Sequence, residues 1–182
     1  MFRNNPRFQN RPLTAGQIAL LARANKLMLD GKPSEAGPLF AQLAKDLQSS
    51  NHPRRAANLY ARAAHAFADC HDEQAALGLA RTALSLFIQF KMAQRAPVFY
   101  ANITQKMSNK GMKSAADTLQ REFGAQIALP PSELEQGKHP QRGLLPTSCP
   151  KCGGPVHSED INWVDENTAE CEYCGTLIRT EK

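Results

Sequence analysis

What these 182 residues lack narrows the problem first. No stretch approaches the roughly 18 consecutive apolar residues that a membrane-spanning helix needs. Met1 to Pro12 is polar and has no apolar h-region, so it does not read as a secretory signal, and a cytoplasmic location is expected. Between Leu13 and Ile127 β-branched residues are few, which argues against a sheet there. There is no Gly-rich phosphate loop, no GxSxG elbow, no HExxH and no carboxylate pair placed for acid–base work. A protein that is not an enzyme is therefore expected. Cysteines number only five, and without a secretory signal they point to metal ligation rather than to disulfides. Hydrophobic residues still make up 42%, enough for a packed core, which excludes wholesale disorder.

The formal net charge of +5 conceals a split. Residues 1–128 carry 17 Lys and Arg against 8 Asp and Glu, a balance of +9. Residues 149–182 carry 3 against 7, a balance of −4. Four thiolates around one zinc ion would take this tail to about −6. A basic front can attract nucleic acid, with Arg54, Arg55 and Arg62 as the first candidates, helped by Arg3, Arg7 and Arg11 in an acid-free arm that also holds Phe2 and Phe8. Elsewhere the basic residues are scattered, as on a solvated helical surface.

Residues 13–127 read as helix throughout, because Ala is abundant and apolar residues recur at spacings of three and four, as in Leu77, Ala80, Leu84 and Phe87. Breakers divide the stretch at Gly31-Lys32-Pro33, Asn51-His52-Pro53, Cys70-His71-Asp72, Phe90-Lys91-Met92 and Lys110-Gly111, with Ser34 available as a cap. Six helices follow, over about 14–30, 34–49, 53–69, 73–89, 92–109 and 112–126. Residues 1–12 read as a disordered basic arm.

The helices repeat with a period of 40: Leu20, Tyr60 and Tyr100 align, as do Ala24, Ala64 and Thr104, then Leu27, Phe67 and Met107. Each unit is then a helical hairpin. Tyr60-x2-Ala63-Ala64-x2-Phe67, followed by Ala76 and Ala83, resembles the tetratricopeptide pattern, and the flanking units match it less closely. The resemblance implies a solenoid of three hairpins that binds a peptide or partner protein in its concave groove. The period departs from the family's usual 34, so a HEAT-like array is the structural alternative. In a tetratricopeptide-like superhelix Asn25, Asn58, Arg62, His65, Asn102 and Gln105 would face the groove, with Ile18, Leu21 and Val98. Leu21 and Ala61 stand where some relatives place a lysine for peptide C-termini.

Pro130-Pro131, Gly137, Pro140, Gly143 and Pro146 mark residues 128–147 as a linker. Beyond it, Cys149-Pro150-Lys151-Cys152-Gly153-Gly154 and Cys171-Glu172-Tyr173-Cys174-Gly175 form two CxxC pairs 18 residues apart. Two such pairs supply the closed thiolate shell that Zn²⁺ favours, with iron in a similar site as the alternative. Cys149, Cys152, Cys171 and Cys174 are the expected ligands of one structural zinc, since four protein ligands leave no open position for substrate. Strands are expected over Ile161-Asn162-Trp163-Val164 and Thr168-Ala169-Glu170, with a third at Leu177-Ile178. Residues 148–182 thus resemble the zinc-ribbon family. The fold class expected overall is mainly α, three helical hairpins plus a small C-terminal β zinc ribbon, and the whole chain resembles bacterial proteins that join a helical repeat to such a ribbon. That resemblance implies no activity.

Three functions are expected to compete. An interaction or adaptor protein would bind a protein or peptide in its groove. A transcription- or translation-associated factor would use the basic helical face and arm, although Glu159, Asp160, Asp165, Glu166, Glu170 and Glu172 make the ribbon itself repel phosphate. An intramolecular arrangement would dock the acidic ribbon on the basic repeat, since a tether gives high effective concentration. Cys70, beside His71 and Asp72, reads as a half-buried turn cysteine, and His157 as a surface histidine surplus to a complete shell.

Overall fold

A computed structural model describes residues 13–127, 144–158 and 161–180. The expected N-terminal arm, with Arg3, Arg7 and Arg11, and residues 128–143 of the expected linker lie outside the described residues. The chain is mainly α, with a small three-stranded antiparallel sheet near its C-terminal end. The helices are α1 (Ala15–Leu29), α2 (Pro33–Ser49), α3 (Pro53–Asp69), α4 (Glu73–Gln89), α5 (Arg95–Asn109) and α6 (Lys113–Ile127). Among the described residues no helix is long and apolar enough to cross a membrane.

The starts and stops are locally determined. Thr14 caps α1 through a reciprocal pair with Gln17, and Asp72 caps α4 by accepting from the Ala75 amide. Pro33 and Pro53 open α2 and α3 at the position where a missing N–H costs nothing. Ser34 is therefore inside the first turn of α2, and Lys32 stands at the cap without a side-chain bond. Helix α5 starts at Arg95 rather than at 92. The Ala96 amide does reach the Met92 carbonyl, but Pro97 has no N–H to offer the next one, and the ladder begins late.

Helices α1 to α5 all end the same way, and the repeat is visible at half its expected length. Gly31, Asn51, His71, Lys91 and Gly111, each 20 residues apart, all have positive φ, from 52° to 83°. The following residue donates back across the turn: Lys32 to Leu27, His52 to Leu47, Asp72 to Phe67, Met92 to Phe87 and Met112 to Met107, at 2.8–3.0 Å. The acceptors form an apolar series of their own. Ala36, Ala56, Ala76, Ala96 and Ala116, also 20 apart, are all buried where helices approach.

Consecutive helices pack together, and α3 also reaches α5 while α4 reaches α6. Odd- and even-numbered helices thus fall into two layers from α3 onward. Phe40, Leu43, Leu47, Leu59, Leu84, Phe87, Ile103, Met107 and Leu119 fill the space between them. Helix α3 is buried on nearly all sides and its interior face is largely Ala, which lets neighbours come close.

The sheet is β1 (Asn162–Trp163), β2 (Thr168–Glu170) and β3 (Leu177–Arg179), in that order and antiparallel. Ala169 on β2 pairs with Trp163 and with Ile178. Ala169 and Ile178 are buried, whereas Leu177 and Arg179 are exposed. Leu145, just before the first cysteine, is half-buried against the core, and the Thr147 carbonyl accepts from Val156.

Candidate metal centre and the face it covers

The two CxxC segments have the same backbone geometry. The Gly153 amide donates to the Cys149 carbonyl at 2.8 Å, and the Gly175 amide donates to Cys171 at 2.8 Å. Each turn closes from the other side, Cys149 N to Gly154 O and Cys171 N to Thr176 O. Gly153 and Gly175 have φ of 68° and 76°, a conformation that side chains with a Cβ adopt only at a cost. The result is that all four sulfurs lie within 4.8 Å of one another, each from a buried cysteine. Cys149 and Cys174 Sγ are 3.7 Å apart, Cys152 and Cys171 Sγ 3.8 Å. A regular tetrahedron with metal–sulfur bonds of about 2.3 Å has sulfurs about 3.8 Å apart, so the four fit a tetrahedral ion of soft-ligand preference.

The four thiols shift one another. Hydrogen bonds from the neighbouring thiols, that of Cys152 first, lower Cys149 to about 6. The same kind of bond, from Cys149 first, lowers Cys174, and Thr176 Oγ1 lies 3.3 Å from its sulfur. Cys152 and Cys171 are pushed up by their bonds with Cys149. Four sulfurs in one pocket share protons until a cation replaces them. An ion held by all four sulfurs would have no open coordination position. His157 is exposed and is not one of the four.

The C-terminal segment that carries the three-stranded sheet and the four cysteines, the ribbon for short, lies against the odd-numbered helices. From α1, Asn25 Nδ2 donates to the Cys152 carbonyl at 2.5 Å, and Asn25 is only 2% exposed. From α3, Arg55 Nη2 donates to Glu170 Oε1 at 2.8 Å, with side-chain exposures of 8% and 17%. From α5, Arg95 pairs with Glu172 and also donates to Asn58 Oδ1 at 3.3 Å. The Arg62 guanidinium is sandwiched between two rings, 4.6 Å from the centroid of Phe40 and 5.3 Å from that of Tyr173. Burial lowers the Arg62 pKa, against which Tyr173, Cys152 and Cys171 hold its charge. Burial also pushes the Tyr173 phenol up.

The candidate groove residues thus separate. Asn25, Asn58 and Arg62 meet beneath the ribbon. His65 is half-buried, edge-on to Phe99 at 5.4 Å, and lowered to about 4, first by burial and then by Lys106. Asn102 is exposed at the rim of a 300 Å³ cavity shared with Arg62, His65, Val98 and His157. Gln105 is exposed farther along α5. Among the arginines considered for nucleic acid, Arg55 and Arg62 lie under the ribbon. Arg54 stays exposed, bonded to the Phe90 carbonyl at the edge of a 580 Å³ cleft between α3, the α4–α5 turn and the ribbon. Leu21 and Ala61 are buried. Cys70 ends α3, half-buried, its thiol pushed up first by burial and then by Asp69 and Asp72, the reverse of an activated nucleophile.

Sequence reasoning missed Arg95 and did not give Glu170, Glu172 or Tyr173 a specific partner. The available signal was their placement around Cys171 and Cys174, where any knuckle side chain is held rigidly. No protein family, curated protein or solved structure matches this chain.

Proposed function

We propose that this is a non-catalytic interaction protein, in which a tetratricopeptide-like array of three helical hairpins engages a peptide or partner protein and one structural Zn²⁺ sits in the four-cysteine site. One observation carries the reading: Arg55 and Arg62 on α3 and Arg95 on α5, the last braced by Asn58, converge on one face and all take side chains of a single short segment, Glu170 to Tyr173. A face that holds one extended, charged segment through side chains from two helices has the equipment to hold another. Zinc is the ion best suited to four thiolates at tetrahedral spacing, and a closed shell serves folding rather than chemistry. The Cys149, Cys152, Cys171 and Cys174 side chains would hold it.

Native mass spectrometry of protein purified gently from its source tests both parts. The expected result is one zinc per chain and a co-purifying polypeptide. Co-purifying RNA or DNA would favour instead a nucleic-acid factor working through exposed basic residues such as Arg54. A chain without metal would remove the zinc-ribbon reading.

A further inference from the structure

The segment Glu170-Cys171-Glu172-Tyr173 lies on the odd-helix face as a ligand would. Its two carboxylates, two positions apart, are taken by guanidinium groups on two different helices, Arg55 on α3 and Arg95 on α5. The ring that follows stacks on a third, Arg62. A spacing of two carboxylates and an aromatic is therefore matched by three arginines whose own positions are fixed by Asn58, Phe40 and the buried wall of α3.

This occupant is not a perfect fit. Arg62 Nη1 is buried without a hydrogen-bond partner. A buried donor on a cation left without an acceptor costs stability, which weakens the hold of the resident segment on the face. The segment is also held by something other than the face. Cys171 lies between the two glutamates and Cys174 follows the tyrosine, so the metal centre fixes the backbone that presents all three side chains. Without the ion a ribbon this small loses most of what folds it. Arg55, Arg62 and Arg95 would then be left uncompensated on a largely buried face, which strongly favours an anionic replacement.

We infer that the face formed by Arg55, Arg62 and Arg95 is a receptor for a polypeptide segment of pattern acidic-x-acidic-aromatic, that Glu170 to Tyr173 is its resident occupant, and that release of the metal vacates it for a partner carrying the same pattern. The inference rests on the peptide-binding reading above and specifies both its ligand and its control.

The test uses the full chain and a fluorescent peptide, Thr-Ala-Glu-Ser-Glu-Tyr-Ser-Gly, followed by anisotropy with and without a chelator. The metal-loaded chain is expected to bind at least about tenfold more weakly than the chelated chain. Binding should fall at least about tenfold when both peptide glutamates become glutamine, and should vanish in Arg55→Glu with Arg95→Glu. A second route keeps the metal: Glu170→Gln, Glu172→Gln and Tyr173→Ala together empty the face and should open it to the peptide without chelation. Circular dichroism confirms that the helices persist in each case, and if chelation melts them the metal-retaining variant decides. Equal binding of the glutamate and glutamine peptides overturns the acidic specificity while leaving peptide binding intact. Equal binding with and without metal overturns the control. If neither peptide binds the chelated chain or the emptied variant, the peptide-binding reading of this face fails as well. A short single-stranded RNA that binds the vacated face better than the acidic peptide overturns the inference in favour of nucleic acid.

Discussion

Set side by side, the helical layer and the ribbon bury different things. Between the helices the buried side chains are large and apolar, with Phe40, Phe87, Leu43, Leu47, Leu59 and Leu84 all at 2% exposure or less. In the ribbon they are the four cysteines with Ile161, Ala169, Tyr173 and Ile178. The helices join through direct hydrophobic contact, whereas the ribbon converges on four sulfur atoms placed to hold one cation. The junction between the two follows a third rule, with charged and polar side chains meeting nearly out of water: Arg55 with Glu170, Arg95 with Glu172, and Arg62 against Tyr173. The lesson is that one short chain uses hydrophobic burial, a four-sulfur cluster fit for a metal ion, and ion pairing in separate places, and each is open to a separate perturbation.

The largest effect should come from removing a ligand. Cys149→Ala is expected to abolish stoichiometric metal binding and the amide dispersion of the ribbon, while helical circular dichroism changes little. The interaction lost is on the scale of structural zinc sites, about 10–16 kcal/mol. Concerted melting of the helices in this variant would break the distinction between the two parts. The converse is Leu84→Ala, which opens a cavity at a fully buried position. It should cost the helices about 2–5 kcal/mol in denaturant unfolding, with metal content unchanged.

Next comes the junction. Arg55→Ala strands Glu170 in a largely dry setting and should destabilise docking by about 3 kcal/mol. Hydrogen exchange on the inner faces of α3 and the ribbon would show it. Gly175→Ala approaches the same contact from the other side, since an added Cβ would collide with the Arg55 guanidinium on a backbone with φ of 76°. The two variants should share a signature that Leu84→Ala lacks.

A pH titration sharpens the comparison further. His65 is lowered to about 4 in the fold, by burial first, then Lys106 and Arg62, against an opposing Asp69. The unfolded chain binds this proton from about pH 6.5 downward, and the folded chain resists it until about pH 4. Stability contributed by neutral His65 is thus complete above pH 6.5 and is lost on acidification, by about 3 kcal/mol in all. His65→Leu should flatten that part of the stability curve. The difference between wild type and variant isolates it from acid release of the metal, which both share. The smallest effect belongs to Arg81 and Glu122, a solvent-exposed pair between α4 and α6. Glu122→Gln should leave the midpoint of unfolding unresolved from wild type, because water screens such pairs.

Much of this architecture is legible without coordinates. The helix boundaries follow from Pro33, Pro53, Asp72 and the turn residues, all of which act within a few positions of themselves. The one late start, at Arg95, comes from Pro97, whose missing N–H was visible but whose consequence depends on which carbonyl it leaves unpaired. The shorter 20-residue register was also present, in Ala36, Ala56, Ala76, Ala96 and Ala116. It hides because the large residues between them alternate layer by layer, and the alternation emphasises the 40-residue unit. The four ligands are legible because CxxC spacing is itself a geometric statement about two sulfurs and one ion.

By itself, then, the sequence determined the six helices, their turns, the four-sulfur cluster and the opposite charges of the two ends. Each follows from interactions spanning a few residues or from composition. Only the tertiary structure decided that Asn25 meets the Cys152 carbonyl, that Arg55 takes Glu170 and Arg95 takes Glu172, and that Arg62 rather than Arg54 lies beneath the ribbon. Partners separated by 77 to 127 residues carry no local mark of one another. Opposite charge says only that they attract, and the choice among several arginines belongs to the packing that makes one of them reachable and dry.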